Sequence, residues 1–255
     1  MSILETVTAV FRVMTGQQSE VTVTDLVDHL SMPKSSASRV LKQMMEAGLL
    51  VRSPVTLAYR PSLLLLELAH VARSATPLVE MCAQALDELG NTYGHTGYIS
   101  LLDGNDVMVL RVRPGSQSFR AMTSPGHRSP AWATSTGRSL LARESDAQIR
   151  ERFPEGLKAM SGSVGGPQTV EELCNRLDSI RRQGYAIVDN EALAGVCAVG
   201  CAVSDPASGE CMSFCLSFPS GALSEKEVNR IGMSLSSHAS LIGRAFGDPF
   251  WSMSR

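Results

Sequence analysis

Val23 to Arg52 reads VTDLVDHLSMPKSSASRVLKQMMEAGLLVR, and the rest of the chain is read outward from it. Taken as a helix, Lys34 to Ala47 puts Ala37, Val40, Leu41 and Met44 on one side, the spacing of a core-facing stripe. One step earlier the same offsets collect Ser35, Ser38, Arg39 and Lys42, a row of short hydroxyls and cations. A preceding helix is signalled by Thr24 as its N-cap, Asp25 in its first turn, and Leu26, Val27 and Leu30 as its apolar side. Pro33 suits the entry of the second helix and disfavours helical geometry at Met32, so the chain turns there. Gly48 supplies the stop. Leu49 to Arg52 and Thr56 to Arg60 then form a small hairpin around Ser53-Pro54. This is the pattern of a winged helix-turn-helix.

The polar row suits a helix lying in a DNA major groove, where Arg and Lys reach guanine edges or phosphates and Ser bonds to either. The candidate DNA contacts are Lys34, Ser35, Ser36, Ser38, Arg39 and Lys42, with Arg52 and Arg60 from the wing. Amphipathic helices joined by a proline turn also occur in many purely helical domains, and charge does not separate the two readings. Arg12, Lys34, Arg39, Lys42, Arg52 and Arg60 face Glu5, Glu20, Asp25, Asp28 and Glu46 within residues 1–61. A domain so weakly basic makes few phosphate contacts per copy and needs more than one copy on the DNA.

The 255 residues are 44% hydrophobic and 19% charged with a net charge of -2, an ordinary globular composition. Charged residues interrupt the apolar pattern of the first segment, so no signal peptide is read, and the run Leu63 to Leu66 is too short to span a bilayer. A cytoplasmic location with no membrane partner is expected. The six cysteines are then expected as reduced thiols.

Ser2 to Met14 reads as a first helix with Ile3, Val7, Val10 and Phe11 on one side. Leu63 to Ala72 reads as a helix so apolar that it should pack on a partner subunit or on the second domain. From Thr76 the pattern is mixed. A helix from Pro77 to Leu89 ends at Gly90, and Thr96 to Leu102 pairs with Val107 to Val112 through Asp103-Gly104-Asn105-Asp106. A loop is expected at Gly126 to Trp132, helices at Thr136 to Arg143, after Ser145, and from Thr169 to Gln183. Strands follow at Tyr185 to Val188, Val196 to Val203 and Cys211 to Phe218, then a helix from Ser224. The fold class expected is α+β, an antiparallel sheet flanked by helices.

In Cys211 to Phe218 the side chains of Met212, Phe214, Leu216 and Phe218 alternate with Cys211, Ser213, Cys215 and Ser217. The second set leaves room for a small polar molecule, or else meets a helix closely. Cys197, Cys201, Cys211 and Cys215 on neighbouring strands raise a thiol cluster, but neither pair has CxxC spacing and no histidine is near in sequence. The five histidines form no catalytic or ligating spacing, and no GxSxG, GxGxxG or P-loop occurs. No metal, cofactor or catalytic residue is assigned, and an enzyme is the weaker reading.

Three stretches, MPKSSASRVLKQMMEAGLL (Met32 to Leu50), PGHRSPAWATSTGRSLLA (Pro125 to Ala142) and IRRQGYAIVDNEALAGVCAVGCAV (Ile180 to Val203), resemble the isocitrate lyase regulator (IclR) family of bacterial transcription factors. The resemblance implies a DNA-binding domain at 1–61, a linker helix at 62–75 used in dimerisation, a GAF or profilin-like effector-binding domain at 76–248 and a tail at 249–255. It implies a repressor or activator acting as a homodimer or dimer of dimers on double-stranded operator DNA, with a small organic effector, a carboxylate or aromatic from catabolism. Its effector loop falls on Gly126 to Ala133, including His127 and Trp132, and its late-strand serine pair on Cys215 and Ser217. The family's pocket aspartate and cysteine fall on Val188 and Ala198, departures for which Asp189, Glu191 and Cys197 are the nearby substitutes. A thiol-based redox sensor or enzyme on the second domain is the alternative.

Overall fold

The computed structural model describes residues 2–16, 20–73, 76–116, 123–158 and 165–252. The chain divides into two compact units, Met1–Ala75 and Thr76–Arg255.

In the first unit, α1 (Ile3–Gly16), α2 (Val23–Leu30) and α3 (Lys34–Glu46) precede a two-stranded wing, β1 (Leu50–Arg52) and β2 (Tyr59–Pro61), and α4 (Leu63–Arg73). The cap of α2 is Thr22, not Thr24. Its extended backbone lets its hydroxyl accept from the Asp25 amide at 3.3 Å while its own amide donates to the Asp25 carboxylate at 2.7 Å. That amide bond first, and then the Thr22 hydroxyl donating to the same carboxylate at 2.8 Å, hold the Asp25 carboxyl below its usual pKa. Ser31 turns left-handed at the end of α2, and Gly48 (φ 77°) does so after α3. Leu26, Ala37, Leu41, Met44 and Leu50 close around Val10 and Met14 of α1. Ile3, expected on that stripe, is 56% exposed, and the contact of α1 with the core starts one turn later at Thr6 and Val7. Val21 adds a bridge to Tyr59, a third short partner for the wing. On α4 the side chains of Leu63, Leu66, Leu68 and Val71 are exposed.

The second unit begins with α5 (Pro77–Tyr93), capped by Thr76 and ended by Gly94. Gly90, expected as its stop, lies inside the helix, where the Arg113 guanidinium occupies the space that a Cβ would need. Strands β3 (Thr96–Asp103) and β4 (Asp106–Arg113) form the hairpin, and β5 (Arg128–Pro130) with a 3-10 turn at Ala131–Ala133 replaces the loop expected at Gly126 to Trp132. Then come α6 (Ser135–Leu141), α7 (Asp146–Arg152), α8 (Val170–Gln183), β6 (Ala186–Asp189), β7 (Val196–Asp205), β8 (Glu210–Pro219), α9 (Glu225–Phe246) and α10 (Pro249–Ser252). Every pairing in the sheet, ordered β5-β4-β3-β8-β7-β6, is antiparallel.

Helices α5 and α9 cover one face, packing Leu78, Leu86, Leu235 and Ile242 against Met212, Phe214, Leu216 and Phe218. The other face meets α6, behind which α7 and α8 build a second core around Leu141, Ile149, Leu173 and Leu177. The fold class is α+β. Residues 249–252, expected within a tail, instead dock as α10: Trp251 is buried and its indole N–H donates to the Ala202 carbonyl at 2.9 Å. Among the described residues no helix is long and apolar enough to cross a membrane.

Candidate functional site

On α3 the buried residues are Ala37, Val40, Leu41 and Met44. Lys34, Ser35, Ser38, Arg39 and Lys42 are exposed, and Ser36 is half-buried. Burying one row directs the other outward, since side chains three and four apart share a helix face. Lys42 pairs with Glu46 at 3.7 Å, with both side chains more than half exposed. Such a pair is worth well under about 1 kcal/mol, so the lysine is available to another anion. In the wing, Arg52 donates to the Leu57 carbonyl at 3.2 Å and its guanidinium lies 5.4 Å from the Tyr59 ring centre, which braces the hairpin, while Arg60 is exposed. The wing tip is held by Ser53, whose hydroxyl accepts from the Val55 and Thr56 amides.

The second unit encloses a cavity of about 300 Å³ on the α6 face of the sheet. Its floor is two rungs: Val188, Ala198 and Ser217 are consecutive partners across β6, β7 and β8, and Gly200, Cys215 and Tyr98 across β7, β8 and β3. Ser100, Val107 and Val109 extend the floor, and Thr134, Ser135 and Thr136 at the start of α6 face it. Gly200 allows that approach, for a Cβ there would lie 3.1 Å from the Cys215 Cβ and 3.3 Å from the Ser135 hydroxyl. Ser139 of α6 donates to the Gly200 carbonyl at 2.9 Å, tying helix to sheet. Thr123, His127 and Ser129 line one rim, and Ala192, Leu193 and Val196 the other. Burial, with the Cys215 thiol beside it, raises the Tyr98 phenol to about 12. The wall is mainly apolar with hydroxyls spaced along it, chemistry suited to orienting a small organic molecule.

Of the effector residues expected from sequence, His127, Cys215 and Ser217 line this cavity, and the others lie elsewhere. Gly126 is an exposed turn residue at φ 88°. Trp132 and Ala133 are buried in the core beside α6 and α8, Trp132 bordering a separate surface cleft with Phe153 and Pro154. Asp189 is exposed. Cys197 packs among the α5 and α9 side chains. Strand alternation requires this: with Val188 and Ala198 turned into the cavity, Asp189 and Cys197 face away. Glu191 is buried in ion pairs, accepting from Arg138 at 2.5 Å and from Arg176 at 3.0 Å. Burial pulls the Arg138 pKa down, and Glu191 opposes it.

Tyr98, Ser100 and the Thr134-Ser135-Thr136 run are among the lining residues that sequence reading missed. The two-residue spacing of Tyr98 and Ser100 within one strand was the available signal. The four clustered cysteines separate, Cys197 and Cys201 on the α5 and α9 face and Cys211 and Cys215 on the other. Burial pushes the Cys82, Cys197 and Cys215 thiols up to about 12 and the Cys211 thiol to about 11. Redox and nucleophilic chemistry need the thiolate, which this environment disfavours.

The model of the IclR helix-turn-helix domain matches residues 4–54, and that of the bacterial transcriptional regulator IclR C-terminal domain matches residues 70–244. The chain is 25% identical over 233 residues to the HTH-type transcriptional regulator XynR of Escherichia coli K12, covering 91% of this chain and 92% of that one. It is 26% identical over 208 residues to the Pca regulon regulatory protein of Pseudomonas putida, covering 80% and 69% respectively. Its fold is shared with an IclR transcriptional regulator of Alicyclobacillus acidocaldarius, with a TM-score of 0.80 at 21% identity over 98% of this chain and 99% of the other. An IclR homologue of Microbacterium hydrocarbonoxydans complexed with 4-hydroxybenzoate gives a TM-score of 0.81 at 19% identity over 96% and 99%. With an outward polar row on α3 and a cavity-bearing sheet in the second unit, the chain belongs to the IclR family of transcriptional regulators, and its first unit contains their helix-turn-helix DNA-binding domain.

Proposed function

We propose that this regulator binds operator DNA through the outward row of α3 and is switched by a small organic molecule held in the cavity of the second unit. The observation that carries the first half is the exposure of Ser35, Ser38, Arg39 and Lys42 opposite a buried stripe. Arg39 and Lys42 reach base edges or phosphates, Ser35, Ser36 and Ser38 seat the helix with Lys34 against the backbone, and Arg60 grips a phosphate while Arg52 stiffens the wing. Arg39→Ala is expected to cost on the order of 1 to 3 kcal/mol of operator affinity. Lys42→Ala should reduce the salt slope of binding by about 1. Shift assays at several salt concentrations, using the DNA upstream of the chain's own gene, measure both. Unchanged affinity in Arg39→Ala removes that assignment.

The chain works as a homodimer or a dimer of dimers. Leu63, Leu66, Leu68 and Val71, exposed on α4, support self-association, and the weak basicity of the first unit calls for paired DNA contacts.

The ligand is a small aromatic or carboxylic compound, consistent with the cavity's volume and with the 4-hydroxybenzoate held by the Microbacterium homologue. Its leverage equals its differential affinity for two arrangements of the DNA-binding units. Ser217→Phe fills the floor and is expected to abolish ligand heat in calorimetry against a panel of aromatic and sugar acids, while DNA binding persists. A normal titration in that variant places the ligand elsewhere.

A further inference from the structure

We propose that residues 190–195 are a hinged wall of the ligand cavity, and that the buried Arg138–Glu191–Arg176 ion set is the latch that holds it shut. The inference rests on the cavity being the ligand site.

The segment joins β6 to β7, and its Ala192 and Leu193 line the cavity. It is fastened at both ends. Asn190 donates to the Ser220 hydroxyl at 2.6 Å and accepts from the Gly195 amide at 2.7 Å, and it adopts a left-handed backbone (φ 58°) to do so. Glu191 accepts from Arg138 of α6 and Arg176 of α8. At the far end the Gly195 carbonyl accepts from the Ser220 amide at 2.9 Å, and between the two ends Leu193, 54% exposed although it borders the cavity, is tied through its carbonyl to the Val196 amide at 3.2 Å. Arg138 also donates through Nε to the Trp132 carbonyl at 2.7 Å, and its own helix starts with the opposite cavity wall. Arg138, a residue 1% exposed, therefore joins both walls. Two cations share one carboxylate, so either arginine released from Glu191 leaves the other still paired. When Arg138 lets go, Glu191 stays paired with the part-exposed Arg176, and the cost of opening falls on Arg138, which keeps its bond to the Trp132 carbonyl.

Hydrogen exchange of the full chain without ligand tests the latch separately from the ligand assignment. In Glu191→Gln, peptides covering 190–197 are expected to exchange about tenfold faster while the central strands β3 and β8 keep their rates. Because an unpaired buried arginine can unfold a domain, Arg138→Met with Glu191→Leu is the second variant, which removes the charges together and is expected to show the same local change. Unchanged exchange at 190–197 in the double variant overturns the latch. So does acceleration spread evenly over the domain, or loss of fold in the double variant, since the ion set would then stabilise the domain as a whole. Ligand calorimetry on the wild-type chain reports separately on the cavity.

Discussion

Asp248→Ala is expected to lower the unfolding free energy of the second unit by about 3 to 5 kcal/mol, the cost of leaving a partly buried cation without its partner. Asp248 is fully buried between α9 and α10. Its carboxylate accepts from the Arg143 guanidinium, from the Ser204 amide at 2.9 Å and from the Phe250 amide at 3.0 Å. The Arg143 guanidinium also lies over the Phe250 ring, 4.3 Å from its centre. Removing the carboxylate takes the counter-charge from Arg143, leaving it the neutral Ala202 carbonyl and Ser204 hydroxyl, takes an acceptor from two amides, and loosens the anchor of Trp251. Both tryptophans, Trp132 and Trp251, lie in this unit, so urea titration followed by tryptophan fluorescence reports on it selectively. A loss below about 1 kcal/mol, the range of an exposed pair, would show that Asp248 is not the anchor described.

Gly137→Ala is expected to cost about 3 kcal/mol, the upper end for overpacking, because the obstacle is backbone and not a movable side chain. A Cβ on Gly137 would sit inside contact distance of the Ala131 carbonyl carbon and oxygen and its Cα. To admit it, α6 must part from the 3-10 turn, carrying Thr134, Ser135 and Thr136 away from the cavity floor. Ligand response should therefore fall further than the stability loss alone accounts for, which calorimetry at a temperature well below the melting transition measures. Full stability with normal ligand binding would contradict the close approach of α6 to the turn.

The α3 boundaries and its two faces were legible because a helix is a local object: four buried positions and four exposed ones follow from spacing within one segment. The α2 cap was misread by two residues, since Thr22 and Thr24 are equivalent by type and only the extended backbone at Thr22 separates them. In β8, alternation placed Cys215 and Ser217 opposite Phe214 and Leu216, again a local property. The nearby substitutes Asp189 and Cys197 failed for the same reason that β8 succeeded, because a one-residue step along a strand changes face, whereas Glu191 lies beyond the end of β6 and is taken up by Arg138 and Arg176.

Sequence alone determined the helix-turn-helix, the longer strands and helices of the second unit, and the side chains that β8 presents to each face, all governed by periods of two or 3.6 residues, while β5, the 3-10 turn and α10 escaped it. Tertiary structure decided what those elements enclose. The rung Val188, Ala198, Ser217 exists only once three strands are in register. The pairing of Arg138 with Glu191 spans 53 residues and that of Arg143 with Asp248 spans 105. Such contacts depend on how distant segments pack together, which no local period encodes.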